Sequence, residues 1–396
     1  MNIILNIFKW LCIFSILMYV FVYIYMSYKH PFWYKQPVSH YTSLFLENGI
    51  IKKRLDKPIL HNTYKIKIID INDNNQLDKI KLLLNNNYNI SKYYKHHYDI
   101  SYLKWSINIP LKHYNINYKN KLDIDSWNFG IYENNDITKP LISYISGKPI
   151  QIMLDNKHYS CFYVDYLCID KKYRKQKIAE SIISYMAYHG FIDYFKFFIF
   201  KKEMYPLPYK YISKYQLYLI DTTKIETLPQ KKKQIDIIEL DNNKLTNSNI
   251  DKLYQFYIKN IDRYKQLKNI YHYQEFKHYL LTNQNQSIYI DNLNNIHFMI
   301  LLFDSKTTLL NHKTGEFLFL LFDIDYYNND VINDIIDKVC SLNKAKFKNI
   351  IINNQNYILD YVAKNKLEKL TDVYLHLYNF HHNSIIDKKN ISFIIP

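Results

Sequence analysis

The stretch "VDYLCIDKKYRKQKIAES", residues 164–181, decides the reading of the chain. Its opening belongs to a strongly β-prone run, residues 161–170, that predicts a buried strand. A basic turn with Arg174, Lys175 and Lys177 follows, and then a helix over residues 179–190, closed by Gly190 at a predicted C-cap. "FIDYFKFFIF" (191–200) begins the next strand. Strand, basic loop, helix and strand make an α/β unit. The helix start offers unpaired backbone amides and the positive end of a dipole, so beside three cations it is a candidate phosphate or pyrophosphate site. An ordinary solvated basic turn has the same composition. The chain holds 5 glycines, which excludes Gly-rich nucleotide loops.

Outward from this unit the pattern stays mixed. Residues 75–88 read as an amphipathic helix, 101–109 as another, and 127–133 with 141–154 as a hairpin. Residues 39–65 are polar, a linker or wrapping arm, and the asparagine-rich stretch 230–250 is a candidate domain boundary. Beyond it, helices are predicted over 250–261 and 331–342, and strands over 287–292, 296–304, 316–325, 348–354 and 372–380. The apolar tail "NISFIIP" (390–396) is expected to dock. There is no internal sequence repeat.

The 396 residues are 48% hydrophobic and 22% charged, enough for two folded domains. The formal net charge of +16 suggests nucleic acid, anionic lipid or a phosphorylated ligand. The lysines are dispersed, however, and the arginines are only Arg54, Arg174 and Arg263, so no nucleic-acid partner is expected. Cys12, Cys161, Cys168 and Cys340 are too scattered for a disulfide scaffold or a zinc site. The adjacent pairs His96-His97 and His381-His382 diverge on any regular element and read as surface or partly buried residues, so no metal is expected. Residues 10–28 are uncharged and bounded by Lys9 and Lys29; at about 1.5 Å per residue they just span a bilayer core. Trp10, Tyr23, Tyr25 and Tyr28 suit its interfaces. A single-pass anchor over residues 1–28 is preferred to a cleaved signal, because no small-residue cleavage site follows. Lys29, His30 and Lys35 favour a cytosolic C-terminal side.

The stretch "VDYLCIDKKYRKQKIA" resembles the signature of the glycylpeptide N-myristoyltransferases, EINFLCVHKKLRSKRVA, as a divergent member would. "PFWYKQPV" (31–38) is similar to the family's KFWDTQPV, "LISYISGKPIQI" to LVGFISAIPANI, "TTLLNH" (307–312) to STIMNH and "LYNF" (377–380) to LYNW, in order along the chain. The resemblance implies an α/β fold of two tandem acetyltransferase-like (GNAT-type) halves related by a pseudo-twofold axis, after the N-terminal transmembrane helix. The halves would be residues 29–225, binding acyl-CoA, and 226–396, binding peptide. It implies transfer of a myristoyl group from myristoyl-CoA, a co-substrate and not a cofactor, to an N-terminal glycine, by a monomer. It further implies that Phe32 and Trp33 cover the acyl-CoA, that Leu167, Cys168 and Ile169 line its path, and that Arg174, Lys175, Lys177, Ile178 and Ala179 hold the CoA phosphates. The backbone amides of Tyr166 and Leu167 would form the oxyanion hole at a strand bulge, and the terminal carboxylate of Pro396 would take the proton of the glycine amine.

Departures fall on the peptide side. The family's Asn beside the oxyanion hole is Asp165, a carboxylate that either opposes the developing charge or shares the base's work. Residues 88–92 lack the family's acidic cluster, residues 365–371 replace its Gly-rich loop, and Leu217 stands where it has a histidine. A catalytically inactive, membrane-anchored acyl-CoA or acyl-protein binding module is therefore the alternative.

Overall fold

A computed structural model describes residues 2–43, 46–58, 63–88, 94–107, 127–192, 195–225, 236–264, 266–282, 286–354 and 358–393. The chain begins with α1 (Asn2–Lys29), long and apolar enough to cross a membrane, with none of its described side chains buried. Pro31 opens the short α2 (Pro31–Lys35), as expected of a residue with no amide hydrogen to satisfy. The following arm carries β1 (Gly49–Ile50) and β2 (Lys67–Ile68). Then come α3 (Asn74–Asn87), β3 (Tyr94–His96) and α4 (Ile100–Ile107). Asp73 caps α3 by accepting from the Asn75 amide, and Leu77, Ile80, Leu83 and Leu84 form its buried face at helical spacing.

The first α/β half continues with β4 (Trp127–Tyr132), β5 (Leu141–Leu154), β6 (Lys157–Ile169), α5 (Ile178–Ile192), β7 (Phe198–Glu203) and β8 (Tyr211–Asp221). The second contains β9 (Ile238–Leu240), α6 (Asn247–Ile261), β10 (Leu267–Ile270), α7 (Tyr273–Leu281), β11 (Gln286–Ile290), β12 (Phe298–Leu309), β13 (His312–Phe322), α8 (Asn329–Leu342), β14 (Asn349–Asn353), α9 (Ile358–Lys364) and β15 (Glu368–Tyr378). Two short strands end the chain, β16 (Phe380–His381) and β17 (Ile391–Ser392).

Among the described residues one large sheet runs through both halves, in the order β17-β10-β5-β6-β7-β15-β8-β14-β13-β12-β11-β9. The hairpin β5/β6 continues through α5 into β7, parallel to β6. The hairpin β12/β13 continues through α8 into β14, parallel to β13. Each half then sends its next strand across: β8 pairs with β14, β15 with β7, and β8 and β15 pair antiparallel at the centre. The exchange ties the halves together with backbone hydrogen bonds, so neither sheet has a free edge at the join.

Several expectations need correction. The helix after the basic loop runs to Ile192 and is not closed by Gly190. Glycine at that position serves packing, since a Cβ there would lie 2.8 Å from the Phe198 ring. The strand expected from residue 191 begins at Phe198, because α5 extends over Phe191 and Ile192. His381 and His382 are buried and partnered, not surface residues. His381 bonds Ser39 Oγ at 2.7 Å and Asn383 Oδ1 at 2.6 Å, and His382 bonds Asp155 Oδ2 at 2.8 Å. Where it is described, the arm over 39–65 does wrap: β1 pairs with β16. The tail docks as far as described, with β17 beside β10 and Phe393 buried. The expected division between residues 225 and 226 falls where the described residues stop.

Candidate active site

The site is built on β6. Tyr144 of β5 pairs with Cys168 and Ser146 with Asp165, so the single residue Ile145 faces both Tyr166 and Leu167. This is a β-bulge. Tyr166 takes a left-handed φ of 52°, which costs a non-glycine residue about 1–2 kcal/mol. Its ring offsets that cost by burial against Tyr98, with centroids 5.7 Å apart, and its hydroxyl donates to Ser106 Oγ at 3.0 Å. The Tyr166 amide donates to Asp165 Oδ1 at 2.8 Å.

After β6 the chain makes the basic loop. Asp170 accepts from the Lys172 amide at 2.9 Å. Arg174 is exposed but braces the loop: Nε donates to the Ile169 carbonyl at 3.3 Å and Nη2 to the Asn87 carbonyl at 3.2 Å. It thereby ties the loop to the end of α3, where helix carbonyls lack intrahelical partners. Lys175 and Lys177 both lie in the left-handed region, φ 66° and 60°. The helix α5 starts at Ile178 directly after them. A cavity of about 420 Å³ lies here, lined by Leu167, Cys168, Ile169, Arg174, Lys175, Lys177, Ile178 and Ala179. Every loop and strand residue expected to line the CoA path, apart from Tyr166, meets in it.

A second cavity, of about 540 Å³, adjoins the first through the shared residues Asn87, Tyr88 and Leu167. It has two arms. One is apolar, walled by Trp33, Val164, Ile183, Met186, Phe198 and Phe200. The other is polar, walled by Asp165, Lys201, Glu203, Ser305, Thr307 and Glu316. The arms meet because the β6–β7 pairing ends at Val164↔Phe200, although both strands continue. Trp33 is held over the apolar arm by Tyr209, with centroids 5.2 Å apart. Phe32 packs edge-on against Trp33 and lines neither cavity.

Burial sets the charges of the polar arm. It raises the Asp165 carboxyl, against the opposing pull of Lys148 and Lys201. It lowers Lys148 to about 8, although Nζ donates to the Ser106 carbonyl at 3.2 Å and approaches the Tyr279 hydroxyl at 3.4 Å. Lys201 is lowered and Glu203 raised by the same desolvation, and Glu316 is pushed up to about 7. Cys168 is pushed up to about 12 by burial, which leaves it a poor nucleophile. Pro396 lies outside the described residues, but the tail leads toward the site: the Phe393 ring lies 6.0 Å from that of Tyr163, another wall of the second cavity. Leu217 lines this cavity too, and the segment in place of a Gly-rich loop enters β15 at Glu368. Of residues 88–92, only Tyr88 is described.

Sequence reasoning missed Lys148, Lys201, Glu203 and Glu316. The available signal was charge inside otherwise apolar strands, as in "FIFKKE" (198–203) and "GEFLFLLF" (315–322).

A sequence model described as myristoyl-CoA:protein N-myristoyltransferase, N-terminal domain, matches residues 49–189, which contain the bulge and the basic loop. Over residues 49–189 the chain is thus similar to the N-myristoyltransferase family. It is 26% identical over 164 residues to the glycylpeptide N-tetradecanoyltransferase of Kluyveromyces lactis and 27% identical over 164 residues to that of Dictyostelium discoideum. Each match covers 39% of this chain, but only 34% and 36% of those relatives' lengths. The fold likeness reaches further. The crystal structure of Saccharomyces cerevisiae N-myristoyltransferase with bound myristoyl-CoA superimposes with a TM-score of 0.74 at 17% identity, covering 91% of this chain and 94% of that one. The mixed α/β fold of an N-myristoyltransferase thus extends through the second half, where sequence similarity has faded.

Proposed function

We propose that the protein moves a myristoyl group from myristoyl-CoA to the N-terminal glycine of acceptor proteins. The observation that carries this reading is the Tyr166–Leu167 bulge, placed where the cationic cavity meets the apolar and polar arms. CoA phosphates would lie on the amides and side chains of Lys175 and Lys177, with Arg174 holding the loop in shape and Ile178 and Ala179 opening the helix beneath. The thioester would pass Cys168 and Ile169 to the bulge, and the acyl chain would enter the apolar arm under Trp33, with Phe32 behind it. The acceptor amine would come from the polar arm.

In the reaction the amine nitrogen attacks the thioester carbonyl carbon, the C–N bond forms and the C–S bond breaks. The ammonium gives one proton to a carboxylate before attack. It gives a second to the departing CoA sulfur. On the family resemblance that carboxylate belongs to Pro396, and the packing of Phe393 on Tyr163 supports its approach. The amides of Leu167 and Tyr166 would stabilise the oxyanion; one such donor is typically worth about 3 kcal/mol in the transition state.

Two acetyltransferase-like halves, residues 29–225 and 226–396, with pseudo-twofold symmetry are supported by the recurring hairpin–helix–parallel strand order and the mutual exchange of β8 and β15. Residues 1–28 would anchor a monomer as a single-pass membrane protein with its catalytic part in the cytosol. An acyl-CoA that partitions into membranes suits a tethered enzyme.

One observation favours the second reading, an inactive acyl-CoA or acyl-protein binding module. The Tyr166 amide already donates to Asp165, whose carboxylate stands where oxyanion charge would develop. The test is acyl transfer by the full chain in detergent, with myristoyl-CoA and peptides beginning with Gly or Ala. Transfer to Gly peptides alone is expected. Tight myristoyl-CoA binding without transfer to any peptide would establish the binding module.

A further inference from the structure

A carboxylate at residue 165 is a liability beside a developing oxyanion, and the fold answers it with two lysines. The strands on either side of β6 each present one. Lys148 of β5 is opposite Tyr163, two residues before Asp165 and on the same face of the sheet. Lys201 of β7 follows directly on the last pair, Val164↔Phe200, and so lies alongside Asp165 where the strands part. Both ammonium groups approach the Tyr163 ring, Lys148 Nζ at 5.4 Å and Lys201 Nζ at 5.9 Å from its centroid. Lys148 is 5% exposed and held by Ser106 and Tyr279, so it cannot swing into solvent. Three neighbouring strands thus carry positive, negative and positive charge at one level.

We propose that Lys148 and Lys201 are positioning residues that neutralise the Asp165 carboxylate, so that the oxyanion develops beside a balanced group rather than a bare negative charge. The inference rests on the acyl-transfer reading and adds to it the residues that make Asp165 compatible with catalysis. Among the described residues, Lys148 and Lys201 are the cations that act on Asp165. From its own strand it meets Tyr163 and Tyr166, from β5 Tyr144, from the end of α3 Tyr88, from the α4 region Tyr98 and Tyr102, and from β7 the Glu203 carboxyl, itself raised by burial. These phenols are neutral at physiological pH, pushed well above their ordinary range by burial. Lys201 in turn meets Glu316 of β13 and Glu203 of its own strand, and Lys148 meets Glu275 of α7. Charges enclosed at this depth are felt strongly, since little water screens them.

The test is a double-mutant cycle in the full chain in detergent, with Asp165→Asn, Lys201→Met and the double variant. Myristoyl-CoA titration serves as the folding control. Lys201→Met is expected to bind myristoyl-CoA as the wild type does but to turn over Gly peptide at least about 10-fold more slowly at pH 7.5, a threshold set by the size of close charge couplings. Its deficit relative to wild type should shrink as pH falls, because protonating Asp165 removes the bare charge. Lys201→Arg should stay within a few-fold of wild type, and adding Asp165→Asn to Lys201→Met should restore most of the loss. Additive effects, or a Lys201→Met deficit that does not change with pH, would overturn the proposal. If Lys201→Met fails to bind myristoyl-CoA, the double variant decides: recovered binding and turnover support the pairing, a dead double variant refutes it. If the wild type transfers to no peptide, the acyl-transfer reading fails. The same cycle read by urea unfolding then judges the pairing alone, coupling supporting it and additivity rejecting it.

Discussion

Glu316 offers a direct measure of what the polar arm costs the fold. Its carboxyl faces the cavity from β13, and burial, with Glu203 adding to it, raises it from the ordinary 4.5 to about 7 despite Lys201. The folded protein therefore holds this proton more tightly than the unfolded chain. Stability from the neutral form is fully present below about pH 4.5 and is lost as pH rises through about 7. A displacement of about 2.5, at about 1.4 kcal/mol for each, gives a penalty of about 3 kcal/mol at pH 8. Glu316→Gln keeps shape and polarity and cannot ionise. It should leave stability nearly unchanged at pH 4.5 and raise it by about 3 kcal/mol at pH 8, where the wild type carries the buried charge. The assay is urea unfolding of both proteins in the same detergent, at the two pH values. A variant whose advantage is the same at both, or larger at pH 4.5, would refute the claim that Glu316 is held neutral by its surroundings.

The basic loop predicts a difference between two substitutions that remove the same charge. Lys175→Gly relieves the left-handed φ of 66°, whereas Lys175→Ala does not; the glycine variant should be the more stable by roughly 0.5–1 kcal/mol after its greater unfolded-state entropy is subtracted, as thermal unfolding would show. Both should weaken CoA binding by several-fold in titrations, in keeping with about 1 kcal/mol for one exposed charge near a phosphate. Gly147→Ala places a Cβ 1.8 Å from Phe162 Cε1, a ring wedged between Trp127 and Phe195; a loss of about 1–3 kcal/mol is expected in urea unfolding. Deleting residues 2–28 should move the protein from the membrane fraction to the soluble fraction on sedimentation, with myristoyl-CoA affinity unchanged, because Trp33 and the arm after it remain.

The local structure around the basic loop is legible in the sequence. Residues 161–181 announced strand, loop and helix because each depends on near neighbours: β-prone side chains in a run, cations in a turn, and a helix start that exposes amides. Leu167, Cys168, Ile169, Arg174, Lys175, Lys177, Ile178 and Ala179 line one cavity. Helices α3, α6 and α8 were legible for the same reason, since their apolar faces repeat at helical spacing. The end of α5 was misjudged at Gly190, where packing against Phe198, not capping, sets the residue. Strands β8 and β10 gave no clear periodicity, and their place in the sheet comes from partners far away: β8 pairs with β14 and β15, β10 with β5 and β17.

Only the tertiary structure decided the polar arm. Lys148, Asp165, the Lys201–Glu203 pair and Glu316 sit on β5, β6, β7 and β13, and no spacing along the chain relates these strands. What relates them is strand register and the parting of β6 from β7, long-range properties that bring the second half's carboxylate to the first half's bulge. A phosphate loop can be written in a dozen consecutive residues because it uses one backbone turn. Charge balance inside a cavity cannot, because it depends on which distant side chains the fold removes from water together.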